Sequence, residues 1–299
     1  MTTPESNSES ALAAALDGAQ TNHTALLSPD MAARLRGLTP ARVALRRSGI
    51  SIATSELLDF QLAHARARDA VHAAMQPTSL TAALRESLAD LKFDVIPLHS
   101  AAKDRQTYLQ RPDLGRQLDQ ASRQRLQDVP PQPFDVSIVL ADGLSALAVE
   151  RNATPLLAEL LPALLQSSPG LRLAPICIVE QGRVAVADEV AHALSATLAI
   201  VLIGERPGLS SPDSLGAYIT WRPQPGITTD AERNCISNIR AEGLSYPQAA
   251  ARLLHYIREA RGKRLTGVAL KDPEPALEMR SAMSGARELQ SGSQTGGER

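Results

Sequence analysis

Three short turns carry most of the reactive side chains in this 299-residue chain. They are Asp142-Gly143-Leu144-Ser145, Gln181-Gly182-Arg183-Val184 and Gly204-Glu205-Arg206-Pro207-Gly208, and each follows a short apolar run. Glycine lets backbone approach a ligand closely, and the neighbouring carboxylate, amide and guanidinium groups supply donors and acceptors. Strand-to-helix turns use the same residue types for purely local reasons, so the turns are open to both a ligand-rim and a plain-turn reading. No GxGxxG follows the first strand and no GxxxxGK[ST] occurs, which leaves dinucleotide and P-loop sites unsupported. LADGLSALA places a serine near a glycine without the GxSxG spacing of a nucleophile elbow.

Other reactive groups are scattered. The six histidines form no HExxH, although His64 and His72 fall eight apart on one expected helix, where core or surface roles compete with ligation. Cys177 lies inside APICIVE and reads as a small buried hydrophobe, whereas Cys235, after RPQPGITTDAERN, reads as an inert buried thiol. With no CxxC, a zinc ribbon or thioredoxin-type site has no basis. YLQRPDLGRQLD (108–119) packs two Arg and two Asp around Pro112 and Gly115. It suits a turn or helix start with Pro112 at the first position and Asp113 near the positive helix end. A structural Arg–Asp network and an anion-binding or interface role are both open there.

The elements that position these turns are legible from periodicity. VSIVLA (136–141), LRLAPICIVE (171–180), TLAIVLI (197–203) and AYITW (217–221) read as strands, with helices at TPLLAELLPALLQSS and VADEVAHAL between them. Apolar strands alternating with helices argue for an open, mainly parallel α/β sheet with helices on both faces. If the first three strands are parallel, the three turns share the rim where such sheets bind ligands. Residues 31–130 are helical in texture. Leu57, Phe60, His64, Ala67, Val71 and Met75 follow helical spacing, and Leu80, Leu84, Leu88 and Leu91 mark a second helix. A last helix has Ser245 and Gln248 as a capping box, Leu253, Leu254 and Ile257 inward, and Gly262 at its C-terminal end. The expected organisation is a mobile tail over 1–30 with a short helix at ALAAALDGA, a helical region over 31–130, a Rossmann-like α/β domain over 131–270 and a disordered tail over 271–299.

Bulk properties narrow the class. The chain is 43% hydrophobic and 3% aromatic, so its core rests on Leu, Val, Ile and Ala. A net charge of −1 argues against nucleic acid or an anionic membrane as the main partner. No run has the length of a membrane span, and MTTPESNSES lacks the features of a secretory signal, which points to a reducing cytoplasm.

Taken in order, ARVALRRSGISIATSELLDFQLAHARARDAV, YLQRPDLGRQL, ADGLSALAV, EQGRVAVADE, GERPGLSSPDSLGAYITW and AERNCISNIR closely resemble the small (light) subunit of ethanolamine ammonia-lyase, over roughly residues 41 to 261. That resemblance implies an adenosylcobalamin-dependent lyase that converts 2-aminoethanol to acetaldehyde and ammonia by a radical route. It also implies a large subunit that holds the substrate in a TIM barrel, with the cofactor between the two chains and no catalytic residue on this one. The family assembles as dimers of the two-subunit unit and trimers of those. Some members work inside a bacterial microcompartment and others in the open cytoplasm. Carried over position by position, the cofactor contacts are Val184 in the GRV segment, Glu205 in GERPGL and Cys235 in CISNI. The chain has no Asp-x-His-x-x-Gly, in keeping with the family's base-on mode. A non-catalytic cobalamin-binding or assembly protein of the same fold is the alternative.

Overall fold

The computed structural model describes residues 29–39, 41–48 and 50–271. The expected tails, with the helix at ALAAALDGA, lie outside the described residues except for Pro29, Asp30 and Lys271. The chain divides into two units between Arg66 and Ala67. In the first unit are helix α1 (Pro29–Leu38) and a two-residue hairpin, β1 (Arg47–Ser48) and β2 (Ser51–Ile52). Helix α2 (Thr54–His72) begins there, with Glu56 accepting from Arg46. Leu57, Leu58, Phe60 and Leu62 on this helix are exposed.

The second unit holds a six-stranded sheet made of β3 (Val95–His99), β4 (Phe134–Ala141), β5 (Ile176–Glu180), β6 (Ala196–Gly204), β7 (Leu215–Trp221) and β8 (Arg233–Ile239). Their spatial order is β3-β5-β4-β6-β7-β8. Strands β3 to β6 are mutually parallel, as an open α/β fold requires, and β7 and β8 extend the sheet antiparallel. Every strand expected from the sequence is present. The fourth, AYITW, begins at Leu215 and pairs antiparallel with β6. Two strands of this sheet, β3 and β8, lie outside those expected, as does the β1–β2 hairpin in the region read as helical. Pro97 interrupts the pattern of β3, which tolerates it as an edge strand. Strand β8 alternates buried and exposed positions, so it lacks a continuous apolar run.

Helices cover both faces. On one, α3 (Pro77–Ser87), α6 (Ala146–Ser167) and α8 (Tyr246–Lys263) pack Leu84, Leu156, Leu160, Leu253 and Ile257 against β4, β6 and β7. On the other, α5 (Gln120–Gln127) and α7 (Val186–Ala193) pack Leu126, Val186 and Val190 against Val139, Val179 and Val201. Helix α6 starts eight residues before the expected TPLLAELL segment because Ser145 accepts from the Ala148 N–H and caps it. Pro155 and Pro162 lie inside the helix. Helix α8 begins as expected, but the Ser245 hydroxyl bonds the Gln248 side chain rather than closing a capping box. It runs past Gly262 and ends on Arg264 in the left-handed conformation.

Leu160 is fully buried between α6 and the sheet. Leu160→Ala should cost about 2–5 kcal/mol of unfolding free energy through lost burial and the cavity left behind. Urea titration checks this, with an unchanged m-value expected.

Candidate functional site

The three turns singled out by sequence do lie on one rim, because β4, β5 and β6 are parallel. Their backbones are in close contact. Gly143 has φ +56°, and a Cβ there would collide with the Gly204 carbonyl; a Cβ on Gly204 would collide with the Ser145 carbonyl. The Leu144 N–H donates to Gly204 O at 2.9 Å across this approach. Both glycines are therefore required by packing.

The crevice between the β4 and β5 turns is where open α/β sheets commonly seat a ligand, since α6 and α7 leave on opposite faces. Here the protein's own side chains fill it. Asp142, fully buried, accepts from the Gln181 N–H at 2.9 Å and the Gly182 N–H at 3.0 Å. Arg105, from helix α4 (Arg105–Gln110), lies 3.7 Å from Asp142 and donates to the Gly143 carbonyl and the Gln181 side chain. Burial pushes the Asp142 carboxyl up to about 6, against the pull of those amides and of Arg105. Tyr108 lies between the guanidinium groups of Arg105 and Arg183, 4.7 and 4.4 Å from the ring centre, and burial pushes its phenol up to about 12. In YLQRPDLGRQLD, Arg111 and Asp113 bond each other at the surface, which is the local network reading of that segment.

Glu205 and Cys235 lie on a different surface, the sheet face that also carries Tyr218. Val184 follows β5 and packs, half-buried, on the core that also receives Tyr218. Tyr218 on β7 pairs with Val201 on β6 and with Cys235 on β8. Alternation along β6 puts Glu205 on the same face as Val201 and Ile203. Cys235 is exposed, which corrects its reading as a buried thiol; it lies on β8, the edge strand of the sheet. Cys177 is fully buried, as expected. Glu205 is held from both sides, by the Ser214 hydroxyl and by the Asn238 N–H at 3.1 Å, both on Oε2. Its Oε1 has no hydrogen-bond partner among the described residues. Gly216 lies beneath, where a Cβ would come within 3.2 Å of Oε1. Arg206 is exposed, with no ion pair among the described residues.

Two residues of this surface escape sequence reasoning. Asp188, in the first turn of α7, and Arg233, on β8, form a bidentate ion pair at 2.7 and 2.6 Å, with side-chain exposures of 1% and 2%. The Arg233 guanidinium also donates to Thr220 at 3.0 Å. Burial raises the Asp188 carboxyl, and the bonds from Arg233 oppose that shift. Forty-five residues of sequence separate the partners, and neither has a local signature.

No group of three or more His, Cys, Asp or Glu among the described residues could hold a metal ion. His64 and His72 are exposed on α2. No helix among them is long and apolar enough to cross a membrane. A groove of about 870 Å³ lined by His192, Thr197, Arg222 and Ile227 opens at the opposite end of the sheet from the rim.

The Asp142 carboxyl gives a measurable consequence. A carboxyl whose folded pKa lies above its unfolded value of about 4 stabilises the fold while protonated. That contribution is complete below about pH 4 and is lost as pH rises through about 6. In urea unfolding the wild type should therefore lose stability over this interval relative to Asp142→Asn. Parallel pH curves for the two proteins would return the carboxyl to its ordinary range.

Comparison with known proteins bears on what this surface serves. Residues 29–271 match the family model described as Ethanolamine ammonia-lyase light chain (EutC). A protein of Pseudomonas putida (strain W619) named ethanolamine ammonia-lyase small subunit is 57% identical over 241 residues, which cover 80% of this chain and 86% of the relative. One of the same name from Azotobacter vinelandii is 55% identical over 255 residues, covering 84% and 92%. A third, from Pseudomonas fluorescens, is 56% identical over 241 residues, covering 80% and 85%. With the family model spanning most of the chain and the relatives matched over most of their own length, this chain belongs to the ethanolamine ammonia-lyase light chain family.

Proposed function

We propose that this chain is the small subunit of an adenosylcobalamin-dependent ethanolamine ammonia-lyase and completes the cofactor site of a large catalytic subunit. The observation that supports the reading is Glu205, with one carboxylate oxygen unpartnered among the described residues, on the sheet face that also carries the exposed Cys235. The names of the relatives imply a larger partner subunit. The reading places the chain in the cytoplasm, free or within a bacterial microcompartment, in a hetero-oligomer built as a trimer of two-plus-two tetramers.

The residues fit the group chemically. Cobalamin carries amide side chains around its corrin, and Glu205 Oε1 is an acceptor without a partner on this chain, poised over a glycine. When bound, adenosylcobalamin supplies radical chemistry by homolysis of its cobalt–carbon bond, and the protein's share is position and exclusion of water. Val184 offers apolar surface. Desolvation raises the Cys235 thiol, with Ser237 and Tyr218 opposing the shift, so it stays a neutral packing group rather than a thiolate. The sequence has no Asp-x-His-x-x-Gly, so this chain would offer no histidine of that motif to replace the cofactor's own base.

Co-expression with a matching large subunit should give a complex that forms acetaldehyde from ethanolamine and adenosylcobalamin. No co-purification and no activity would overturn the reading, and cobalamin binding without activity would favour a binding or assembly protein. Within that complex, Glu205→Ala loses a charge-assisted hydrogen bond worth about 1.5–3 kcal/mol. The cofactor Kd should therefore rise about ten- to hundredfold with the fold retained. An unchanged Kd removes Glu205 from the contact set.

A further inference from the structure

We infer that Arg233 and Asp188 are positioning residues that hold the proposed cofactor face in register, an inference that rests on the functional reading above. Asp188 lies four residues after Val184, in the first turn of α7, and Arg233 lies two residues before Cys235 on the same face of β8. Their bidentate contact therefore joins the element that presents Val184 to the strand that presents Cys235. On the other side of Cys235, the Asn238 N–H donates to Glu205. Strand β8 is thus tied to one contact element before Cys235 and to the other after it.

Such a tether has a task here. Strand β8 is the edge of the sheet, and its pairing with β7 slips between Leu215 and Ala217. That slip lies at the Ile236–Ile239 end, where Asn238 meets Glu205; at the Arg233 end the ladder keeps register but supports β8 from one side only, because no strand lies beyond it. A planar guanidinium held by two carboxylate oxygens and by Thr220 fixes direction as well as distance. Asp230 lies 3.5 Å from the Arg233 Nε, at the solvent end of the same group. Apolar residues of similar volume would fill the space as well, and replacing a buried ion pair by such residues is often neutral for stability. They would not hold orientation. Separating fold stability from cofactor geometry is therefore the way to detect the role.

The experiment uses the co-expressed two-subunit complex and adenosylcobalamin as the probe, read by absorbance titration and by visible circular dichroism of the bound corrin. Wild-type complex that binds no cobalamin would defeat the functional reading itself. Given wild-type binding, the double variant Asp188→Leu/Arg233→Met should assemble and melt within a few degrees of wild type. Its Kd should nevertheless rise tenfold or more, with an altered corrin spectrum. Leu160→Ala, remote from this face, should lower stability and leave both cofactor signals unchanged. A stable double variant with wild-type Kd and spectrum overturns the inference. If the double variant fails to fold or assemble, Thr220→Val, which removes only one bond to Arg233, decides the matter. A two- to threefold rise in Kd supports the tether, and an unchanged Kd overturns it.

Discussion

One buried carboxylate decides where this sheet can receive a ligand. Asp142 takes up the amide protons of Gln181 and Gly182, the groups that a ligand would meet between the β4 and β5 turns. Arg105 fills the remaining space and reaches the Gly143 carbonyl. Those two amides are therefore already satisfied by the protein itself, although one nitrogen of Arg105 and the Nε of Arg183 are buried there without a hydrogen-bond partner. The switch-point crevice is thus a structural joint. Its glycines, Gly143 and Gly204, serve backbone approach within the protein.

Closing that crevice shifts attention to the antiparallel extension. Strands β7 and β8 continue the sheet antiparallel, with α7 reaching β8 at Arg233, and Tyr218, Cys235 and Ser237 lie on that face half-buried or exposed. Glu205 reaches the same face from the end of β6, held by Ser214 and Asn238 with one oxygen open. The surface is mixed in character, with a carboxylate acceptor, a neutral thiol and the Tyr218 ring. The buried Arg233–Asp188 pair supplies the rigidity that an edge strand lacks.

What the sequence revealed follows from burial. Strands β4, β5 and β6 are covered on both faces, so they read as unbroken apolar runs and were legible, as was the rim they share. Half-covered β8 carries Arg, Asn and Cys before its first isoleucine and Ser and Asn before its second, which hides it from a run-based reading. Pro155 and Pro162 obscured the start of α6, and Pro97 masked β3. The topology argument reached Glu205 and Val184 as turn residues. Singling them out, and adding Cys235, depended on the family resemblance, because no local pattern marks an exposed edge cysteine. The Arg233–Asp188 pair is a long-range contact without any sequence period.

The central claim is that the Val184–Glu205–Cys235 face, and not the filled crevice, meets the cofactor. Hydrogen exchange on the assembled two-subunit complex, with and without adenosylcobalamin, tests it most directly. The account predicts slowed exchange on cofactor addition at amides of 183–185, 205–208, 214–218 and 235–239. Slowing confined to 142–145, or to the groove around Thr197 and Arg222, with that face unchanged, would contradict it.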